Sequence, residues 1–205
     1  MQFKKSHQNS AGRGAAFVVL VAFSGLFCTP WVNAQTNNPG LPKDKQTTLG
    51  LYVTAKEAYA KWRAAPDRVK ILDVRTLEEY LFVGHAAMAW NVPLFVQSHE
   101  WDQAKQTFPM KPNPDFIAKV KQIANPNDTL LVTCRSGGRS AWAVNQLAEA
   151  GFKNVYNITD GFEGDKVEDP NSVFLGERMV NGWKNSGLPY TYAIDPKLML
   201  IPEAK

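Results

Sequence analysis

The chain has 205 residues, enough for one domain with a hydrophobic core and extensions at its ends. Its formal net charge is +4, but residues 1–34 contain three basic side chains and no acidic ones. The remaining chain has 20 basic and 19 acidic residues, so its composition does not favour a nucleic-acid-binding protein. No Walker or dinucleotide-binding glycine pattern is present.

The first 34 residues have the pattern of a secretory signal peptide. A basic stretch precedes an apolar run over residues 15–27, and residues 32–34 supply a small-residue cleavage pattern. We expect cleavage after Ala34 and export to a bacterial periplasm. The apolar run is short for a membrane-spanning helix, so we expect no membrane attachment after cleavage. Cleavage also removes Cys28, which leaves Cys134 as the single cysteine and excludes an internal disulfide.

The rest of the chain divides into a linker, a domain and a tail. Residues 35–49 are polar and rich in Pro, Asn and Gly, which predicts a flexible linker. We expect the domain to cover residues 50–195 and the tail to cover residues 196–205.

Predicted helices and strands alternate along this domain. The sequence predicts helices over residues 54–64, 77–81, 114–124, 140–150 and 182–186, and strands over residues 69–74, 129–133 and 155–158, with a further strand before Pro93. Capping patterns at Thr54 and at Asn113-Pro114-Asp115 mark two of the helix starts. The alternation predicts an α/β domain with a mostly parallel sheet, in which ligands bind at the carboxyl ends of the strands.

Residues 129–151 carry the strongest chemical signal. A buried strand ends before Cys134, and an amphipathic helix follows Arg139. The glycine-rich turn between them lets successive N–H groups point at one centre, and a helix N-terminus adds the positive end of a dipole. Together with Arg135 and Arg139, these features favour a thiolate over a thiol. We therefore interpret Cys134 as a nucleophile rather than as an inert buried cysteine.

Several motifs, taken in order, resemble those of the rhodanese (thiosulfate sulfurtransferase) family. They are ILDVRTLEEY at 71–80, Gly84-His85, Asn91-Val92-Pro93, CRSGGRS at 134–140, AGFKNVYNITDGF at 150–162 and GWKNSGLP at 182–189. The resemblance implies a rhodanese-like α/β fold, in which a central parallel five-stranded sheet has helices on both faces. It also implies that Cys134 takes a sulfur atom from an anionic donor such as thiosulfate, carries it as a persulfide, and passes it to cyanide or a thiol.

The resemblance further implies a loop that binds the persulfide and residues that support this loop. The loop consists of Arg135, Ser136, Gly137, Gly138, Arg139 and Ser140. The supporting residues are Asp73, Arg75, Glu79 and His85. We expect Arg75 and Glu79, four positions apart, to form an ion pair, and His85 to be a structural histidine. No metal-ligand spacing is present, and we predict no metal and no cofactor.

Other functions stay open on the sequence alone. Phosphatases and arsenate reductases can use a Cys-x5-Arg loop around a tetrahedral anion, whereas residues 134–139 form the shorter Cys-x4-Arg. A rhodanese-like domain can also serve as a non-turnover sulfur carrier or as an adaptor for a partner protein. The retained cysteine disfavours a pure adaptor.

The sequence departs from the family pattern beside the predicted site. Three residues, 81–83, separate Glu79-Tyr80 from Gly84-His85, where the family usually has two. Residues 165–180 form an inserted segment that is acidic at its start and apolar later. We hypothesise that this inserted segment docks a periplasmic partner protein.

Overall fold

The computed structural model describes residues 40–200. The predicted signal peptide, residues 35–39 of the predicted linker and residues 201–205 of the predicted tail lie outside this range. The described elements, in chain order, are a 3-10 helix (Lys43–Lys45), β1 (Tyr52–Val53), α1 (Ala55–Ala64), β2 (Val69–Asp73), α2 (Leu77–Phe82), β3 (His85–Ala86), β4 (Ala89–Asn91), β5 (Phe95–Gln97), β6 (Met110–Pro112), α3 (Phe116–Ile123), β7 (Thr129–Thr133), α4 (Gly138–Glu149), β8 (Asn154–Ile158), β9 (Tyr190–Thr191) and a second 3-10 helix (Pro196–Leu198). Within residues 40–200, no helix is both long and apolar enough to cross a membrane.

Five strands form one parallel sheet in the order β1-β8-β7-β2-β4, which confirms the predicted fold class. The other strands form two antiparallel pairs, β3-β9 and β5-β6. β7 lies in the centre of the main sheet, and its last residue, Thr133, is in register with Asp73 at the end of β2. The carboxyl ends of these two strands therefore bring Asp73 and Cys134 to the same edge of the sheet.

Helices cover both faces of the sheet, as predicted. Successive strand residues point to opposite faces, so the core forms two layers. In β7, Leu130 and Val132 belong to a cluster with α3 and α4, whereas Leu131 belongs to a second cluster with α1 and Trp183. Full burial of each such leucine or valine side chain contributes about 2 kcal/mol. This two-sided core holds the carboxyl edge of β7 in place.

Two helices start with the same reciprocal capping box. The Thr54 side chain accepts a hydrogen bond from the Glu57 N–H, and the Glu57 carboxylate accepts one from the Thr54 N–H. Thr76 and Glu79 make the same pair of bonds at the start of α2. The capping-box prediction at Thr54 is confirmed, and Glu79 has a structural role in α2.

The start of α3 lies two residues after the predicted start. The helix begins at Phe116, with Asp115 as its N-cap, and not at Pro114. The Asn113 side chain donates to the Pro93 carbonyl and accepts from the Asp115 N–H. These bonds hold the residues before Phe116 in a turn, so Asn113 does not cap the helix.

The predicted final helix over residues 182–186 is wrong. Gly182 and Gly187 both have positive φ, +93° and +70°, which a right-handed helix does not allow. Between them the chain makes a single turn, closed by the Ser186 N–H and the Gly182 carbonyl at 3.0 Å. The turn still buries Trp183 completely in the core.

Residues 40–49, which we call the arm, are the described part of the predicted linker. The arm lies against α4, where the Thr48 N–H donates to the Asn145 side chain at 2.8 Å. The Lys45 carbonyl accepts a hydrogen bond from the side chain of Asn157 in β8. Side-chain bonds to two elements of the domain thus hold the arm.

The inserted segment, residues 165–180, leaves and rejoins the domain between two glycines in close contact. Gly164 and Gly182 have φ of +86° and +93°. A Cβ on Gly164 would overlap the Asn181 carbonyl, and a Cβ on Gly182 would lie 2.5 Å from the Gly164 nitrogen. Within the segment, the Val167 N–H donates to the Glu177 carbonyl at 2.8 Å. The segment is therefore an ordered loop with a tight base.

Replacing Gly164 with alanine should lower the free energy of unfolding by about 3 kcal/mol, because the methyl group meets backbone at a positive φ. Gly176→Ala is the matched control, since Gly176 has a similar φ of +87° but no atom within 4 Å of the added carbon. That control should lose only about 1 kcal/mol. Urea denaturation measures both variants, and equal losses would show that the close contact at the base is unimportant.

Candidate active site

Cys134 follows the last residue of β7 and starts a short loop into α4. Gly137 turns this loop with a φ of +100°, immediately before the first residue of the helix. A Cβ at this position would overlap the carbonyl of Thr159, so only glycine fits there. The strand and the turn together place a buried Cys134 against the N-terminus of α4.

The Cys134 sulfur lies among hydrogen-bond donors. It accepts the Gly137 N–H at 3.2 Å and lies 3.4 Å from the Ser140 hydroxyl oxygen. No acceptor within residues 40–200 takes the neighbouring backbone N–H groups, which belong to Arg135, Ser136, Gly138, Arg139 and Ser140. Free N–H groups in a turn and at a helix N-terminus attract anions. The loop therefore offers several donors to a negative charge on the sulfur or next to it.

Residues 159–164, which directly follow β8, form hydrogen bonds to the loop that begins at Cys134. The Phe162 N–H donates to the Cys134 carbonyl at 2.8 Å, and the Glu163 N–H donates to the Arg135 carbonyl at 2.9 Å. Gly161 permits this approach, because a Cβ there would lie 2.6 Å from the Ser136 nitrogen. We call residues 159–164 the backing segment. These contacts order the loop before any substrate binds.

The two predicted anion-binding arginines have different environments. Arg139 forms a bidentate ion pair with Glu79 of α2, with both N–O distances at 2.6 Å. Burial disfavours both charges, but their mutual hydrogen bonds and attraction outweigh it, raising the pKa of Arg139 and lowering the pKa of Glu79. Arg135 is exposed and has no ion-pair partner within residues 40–200. Arg135 is thus the arginine of the loop that can contact an incoming anion.

Asp73 and Arg75 form a fully buried ion pair after β2. Arg75 Nη2 donates to Asp73 Oδ2 at 2.6 Å and to the Gly84 carbonyl at 2.8 Å. The guanidinium carbon also lies 4.1 Å from the centre of the Phe162 ring, which belongs to the backing segment. The predicted Arg75–Glu79 ion pair is wrong, because Asp73 reaches the guanidinium from two residues away and Glu79 faces α4 instead.

His85 has the contacts of a structural histidine. Its ring is buried, stacks on the Tyr80 ring at 3.6 Å and bonds through Nδ1 to the Tyr80 carbonyl at 3.0 Å. Burial lowers the pKa of His85, so the neutral form is favoured. The contacts of these three residues, Asp73, Arg75 and His85, stabilise the connection between β2 and β4.

The structure adds Asn157 to the site, a residue that the sequence analysis did not select. Asn157 is fully buried in β8 and lies 2.6 Å, through Oδ1, from the Ser140 hydroxyl oxygen. Its Nδ2 donates to the carbonyls of Gly137 and Lys45. One feature of the sequence does point to Asn157. It lies two residues after Val155, so its amide is on the same buried face of the strand, and a buried amide needs hydrogen-bond partners. The contribution of Lys45 had no such signal, since it lies in a polar, proline-rich stretch.

Comparison with known proteins agrees with this geometry. The model of the rhodanese-like domain matches residues 54–168, more than half of the chain. The chain belongs to the rhodanese-like family. The match covers the described site from Asp73 to the backing segment and ends inside the inserted segment.

Relatives of this rhodanese-like protein include named sulfurtransferases. Thiosulfate sulfurtransferase 16, chloroplastic, of Arabidopsis thaliana is 39% identical over 93 residues, which are 45% of this chain and 70% of that protein. The uncharacterised RP600 homologue of Rickettsia rickettsii is 33% identical over 129 residues, 62% of this chain and 85% of that protein. The crystal structure of Rv0390 from M. tuberculosis is similar with a TM-score of 0.54 and 27% identity, covering 69% of this chain and 96% of that chain.

Removal of one partner of the Glu79–Arg139 pair should destabilise the protein measurably. Glu79→Gln keeps a side-chain oxygen for the capping box but leaves the Arg139 guanidinium without a counter-charge. We expect a loss of about 3 kcal/mol in the free energy of unfolding at neutral pH. The loss should shrink as the pH falls from about 4.3, the ordinary pKa of glutamate, toward the lower pKa of Glu79 in the folded protein. Over this range the unfolded wild type takes up a proton first, and protonation of Glu79 then removes the pair.

Glu78→Gln is the matched control for this test. Glu78 lies in the same first turn of α2 and, within residues 40–200, forms no ion pair. Both variants lose one acidic charge near the helix N-terminus, so the difference between them isolates the bond to Arg139. Denaturation curves of equal midpoint for the two variants would contradict the prediction.

Proposed function

We propose that this rhodanese-like protein is a sulfurtransferase that carries sulfur as a persulfide on Cys134. The main support is the position of the Cys134 sulfur, which accepts a hydrogen bond from the Gly137 N–H. The neighbouring backbone N–H groups of the loop have no acceptor within residues 40–200. Such donors stabilise a thiolate and, after reaction, an anionic persulfide. The relatives named thiosulfate sulfurtransferase support the same chemistry.

The reaction needs two displacements at sulfur. The Cys134 thiolate attacks the outer sulfur of thiosulfate; a new S–S bond forms, the original S–S bond breaks and sulfite leaves with its electron pair. Cyanide or a thiolate then attacks the outer sulfur of the persulfide. The S–S bond between the Cys134 sulfur and the outer sulfur breaks, and the acceptor leaves with the outer sulfur. The Cys134 thiolate is thereby regenerated. Neither step needs a general base when the thiolate is already formed.

Arg135 is suited to guide the anionic donor. Its side chain is exposed, without an ion-pair partner within residues 40–200, and it adjoins Cys134 in sequence. A guanidinium can hold two oxygens of a sulfonate-like group at once. Arg139 instead keeps α2 against the loop through Glu79.

The same contacts disfavour a phosphatase or an arsenate reductase. Those activities require an arginine that binds the tetrahedral anion within the loop. Here the corresponding position, Arg139, makes a bidentate pair with Glu79. The loop is also one residue shorter than the Cys-x5-Arg loop, so its cradle is smaller and suits a sulfur atom.

The test is thiosulfate:cyanide sulfurtransferase activity of the chain from Gln35, the predicted mature start, beside Cys134→Ser. We expect thiocyanate formation and, after thiosulfate alone, a gain of one sulfur atom in intact mass. Both signals should be absent in the serine variant, since a hydroxyl forms no persulfide. The conservative substitution keeps the size of the side chain, and matching circular dichroism spectra would show that the fold is retained.

The two signals also separate the alternatives. A mass gain without thiocyanate would indicate a sulfur carrier that requires a protein acceptor. If neither signal appears with thiosulfate, that donor is excluded, and mass gain from polysulfide then decides whether Cys134 carries sulfur at all. Failure with both donors would overturn the persulfide proposal and favour an adaptor.

We further propose that the inserted segment docks a partner protein that receives the sulfur. Its ordered backbone presents exposed apolar side chains, among them Val173 at 91% exposure, Leu175 at 55% and Phe174 at 49%. Isolated exposed apolar residues are ordinary, but a consecutive exposed run is typical of an interaction surface. The segment also adjoins the site, because Asp165 pairs with Lys45 at 2.9 Å and the Lys45 side chain lies against Gly137.

Substitution on this surface should separate protein acceptors from small ones. In Val173→Ser/Phe174→Ser, transfer to cyanide should be unchanged, because both side chains are exposed and neither belongs to the buried core. Transfer of radiolabelled sulfur from the Cys134 persulfide to proteins of the exported fraction should fall about tenfold, as expected when central apolar contacts are lost. Val96→Ser, which removes an exposed valine from β5, is the control. Equal labelling of the same proteins by all variants would eliminate the docking role.

A further inference from the structure

Ser140 has one hydroxyl hydrogen and three acceptors within reach. Its Oγ lies 2.6 Å from Asn157 Oδ1, 3.0 Å from the Gly137 carbonyl oxygen and 3.4 Å from the Cys134 sulfur. A hydroxyl group donates only one hydrogen bond. The acceptor that receives it decides whether the sulfur gains a second donor besides the Gly137 N–H.

The Asn157 amide determines that choice. Its Nδ2 donates to the Lys45 carbonyl at 2.9 Å and to the Gly137 carbonyl at 3.1 Å, and carbonyl oxygens only accept. The orientation of the amide is therefore fixed, with Oδ1 toward Ser140. Since Oδ1 also only accepts, the Ser140 hydroxyl must donate to it. Asn157 and Ser140 are both fully buried, so exchange with bulk water does not weaken this bond.

We propose that Asn157 is a positioning residue that keeps the Ser140 hydroxyl hydrogen away from the Cys134 sulfur. This inference rests on the proposed role of Cys134 as the nucleophile. A thiolate that is stabilised by fewer hydrogen bonds is intrinsically more nucleophilic. The Cys134 thiolate thus keeps its reactivity, and the free N–H groups of the loop are left for the charge that forms on the outer sulfur of the persulfide.

Charged and titratable groups lie on the elements that surround the same sulfur. They are Arg135 and Arg139 of the loop and α4, Glu79 of α2, Asp73, Arg75 and His85 of the β2–β4 connection, Asp44 and Lys45 of the arm, and Glu163 and Asp165 in or next to the backing segment. Alanine substitutions at Asn157 and Ser140 change none of these charges. A shift in ionisation between such variants therefore reports the hydrogen bonding of Ser140.

The test is the rate of Cys134 alkylation by iodoacetamide as a function of pH. In Asn157→Ala, the released hydroxyl can donate to the Gly137 carbonyl or to the thiolate, and we expect the thiolate because a charged acceptor forms the stronger hydrogen bond. The midpoint of the profile should then move down by about one pH unit. The rate of the fully ionised thiolate should fall about threefold, following the lower basicity of the sulfur. In Asn157→Ala/Ser140→Ala, the midpoint should return to the wild-type value, because the donor is gone.

The double variant distinguishes positioning from general structural support, since a distorted loop would not be repaired by a second truncation. A midpoint that is unchanged in Asn157→Ala, or that stays low in the double variant, would overturn the proposal. If Asn157→Ala does not fold, Ser140→Ala alone decides. Its midpoint should be unchanged or lower, whereas a higher midpoint would show that Ser140 donates to the sulfur in the wild type.

Alkylation requires no sulfur donor and no acceptor. The result therefore stands whether or not thiosulfate:cyanide activity is found, and failure of the proposed function is not confused with failure of the positioning role.

Discussion

Two backbone hydrogen bonds decide where Cys134, the proposed nucleophile, lies. The N–H groups of Phe162 and Glu163 bind the carbonyls of Cys134 and Arg135, which joins the segment after β8 to the loop after β7. The neighbouring N–H groups of the loop have no acceptor within residues 40–200, so they are available for an anion. The approach is possible only with glycine at 161, and the turn that follows requires glycine at 137. The chemistry of the site thus depends on the fit between two loop backbones more than on any one charged side chain.

The charged residues around the loop are mostly neutralised in pairs. Asp73 with Arg75 and Glu79 with Arg139 place four charges in buried or half-buried positions, and the two pairs together carry no net charge. Buried pairs of this kind add little stability in total, but they are costly to break. Here they hold α2 and the β2–β4 connection against the carboxyl ends of β2 and β7. In the proposed reaction, the attraction for a small anion comes from backbone dipoles and from Arg135, which would suit a substrate that is released again after sulfur transfer.

Much of the fold could be predicted from local patterns, and the failures have identifiable physical causes. β2, β7, β8 and α4 follow from apolar runs and helix periodicity, and the prediction of Cys134 as a nucleophile rests on the glycines and arginines that cluster around it. The ion-pair partners of Arg75 and Glu79 were not predictable by spacing along a helix, because Arg75 lies before α2 and Glu79 faces α4 across space. The turn at Gly182 was mistaken for a helix since positive φ leaves no mark in an apolar pattern. The role of Asn157 depends on contacts with residues 17 and 112 positions away.

The arm also determines where the domain must begin if it is to keep the hydrogen bonds around Cys134. The family match begins at residue 54, and a domain boundary drawn there would remove Lys45 and with it an acceptor that fixes the Asn157 amide. The minimal chain that preserves the hydrogen-bond network around Cys134 therefore starts upstream of Lys43, the first residue of the 3-10 helix in the arm. A domain boundary taken from sequence similarity alone would therefore remove part of the hydrogen-bond network of the proposed active site, although no proposed catalytic residue lies upstream of residue 54.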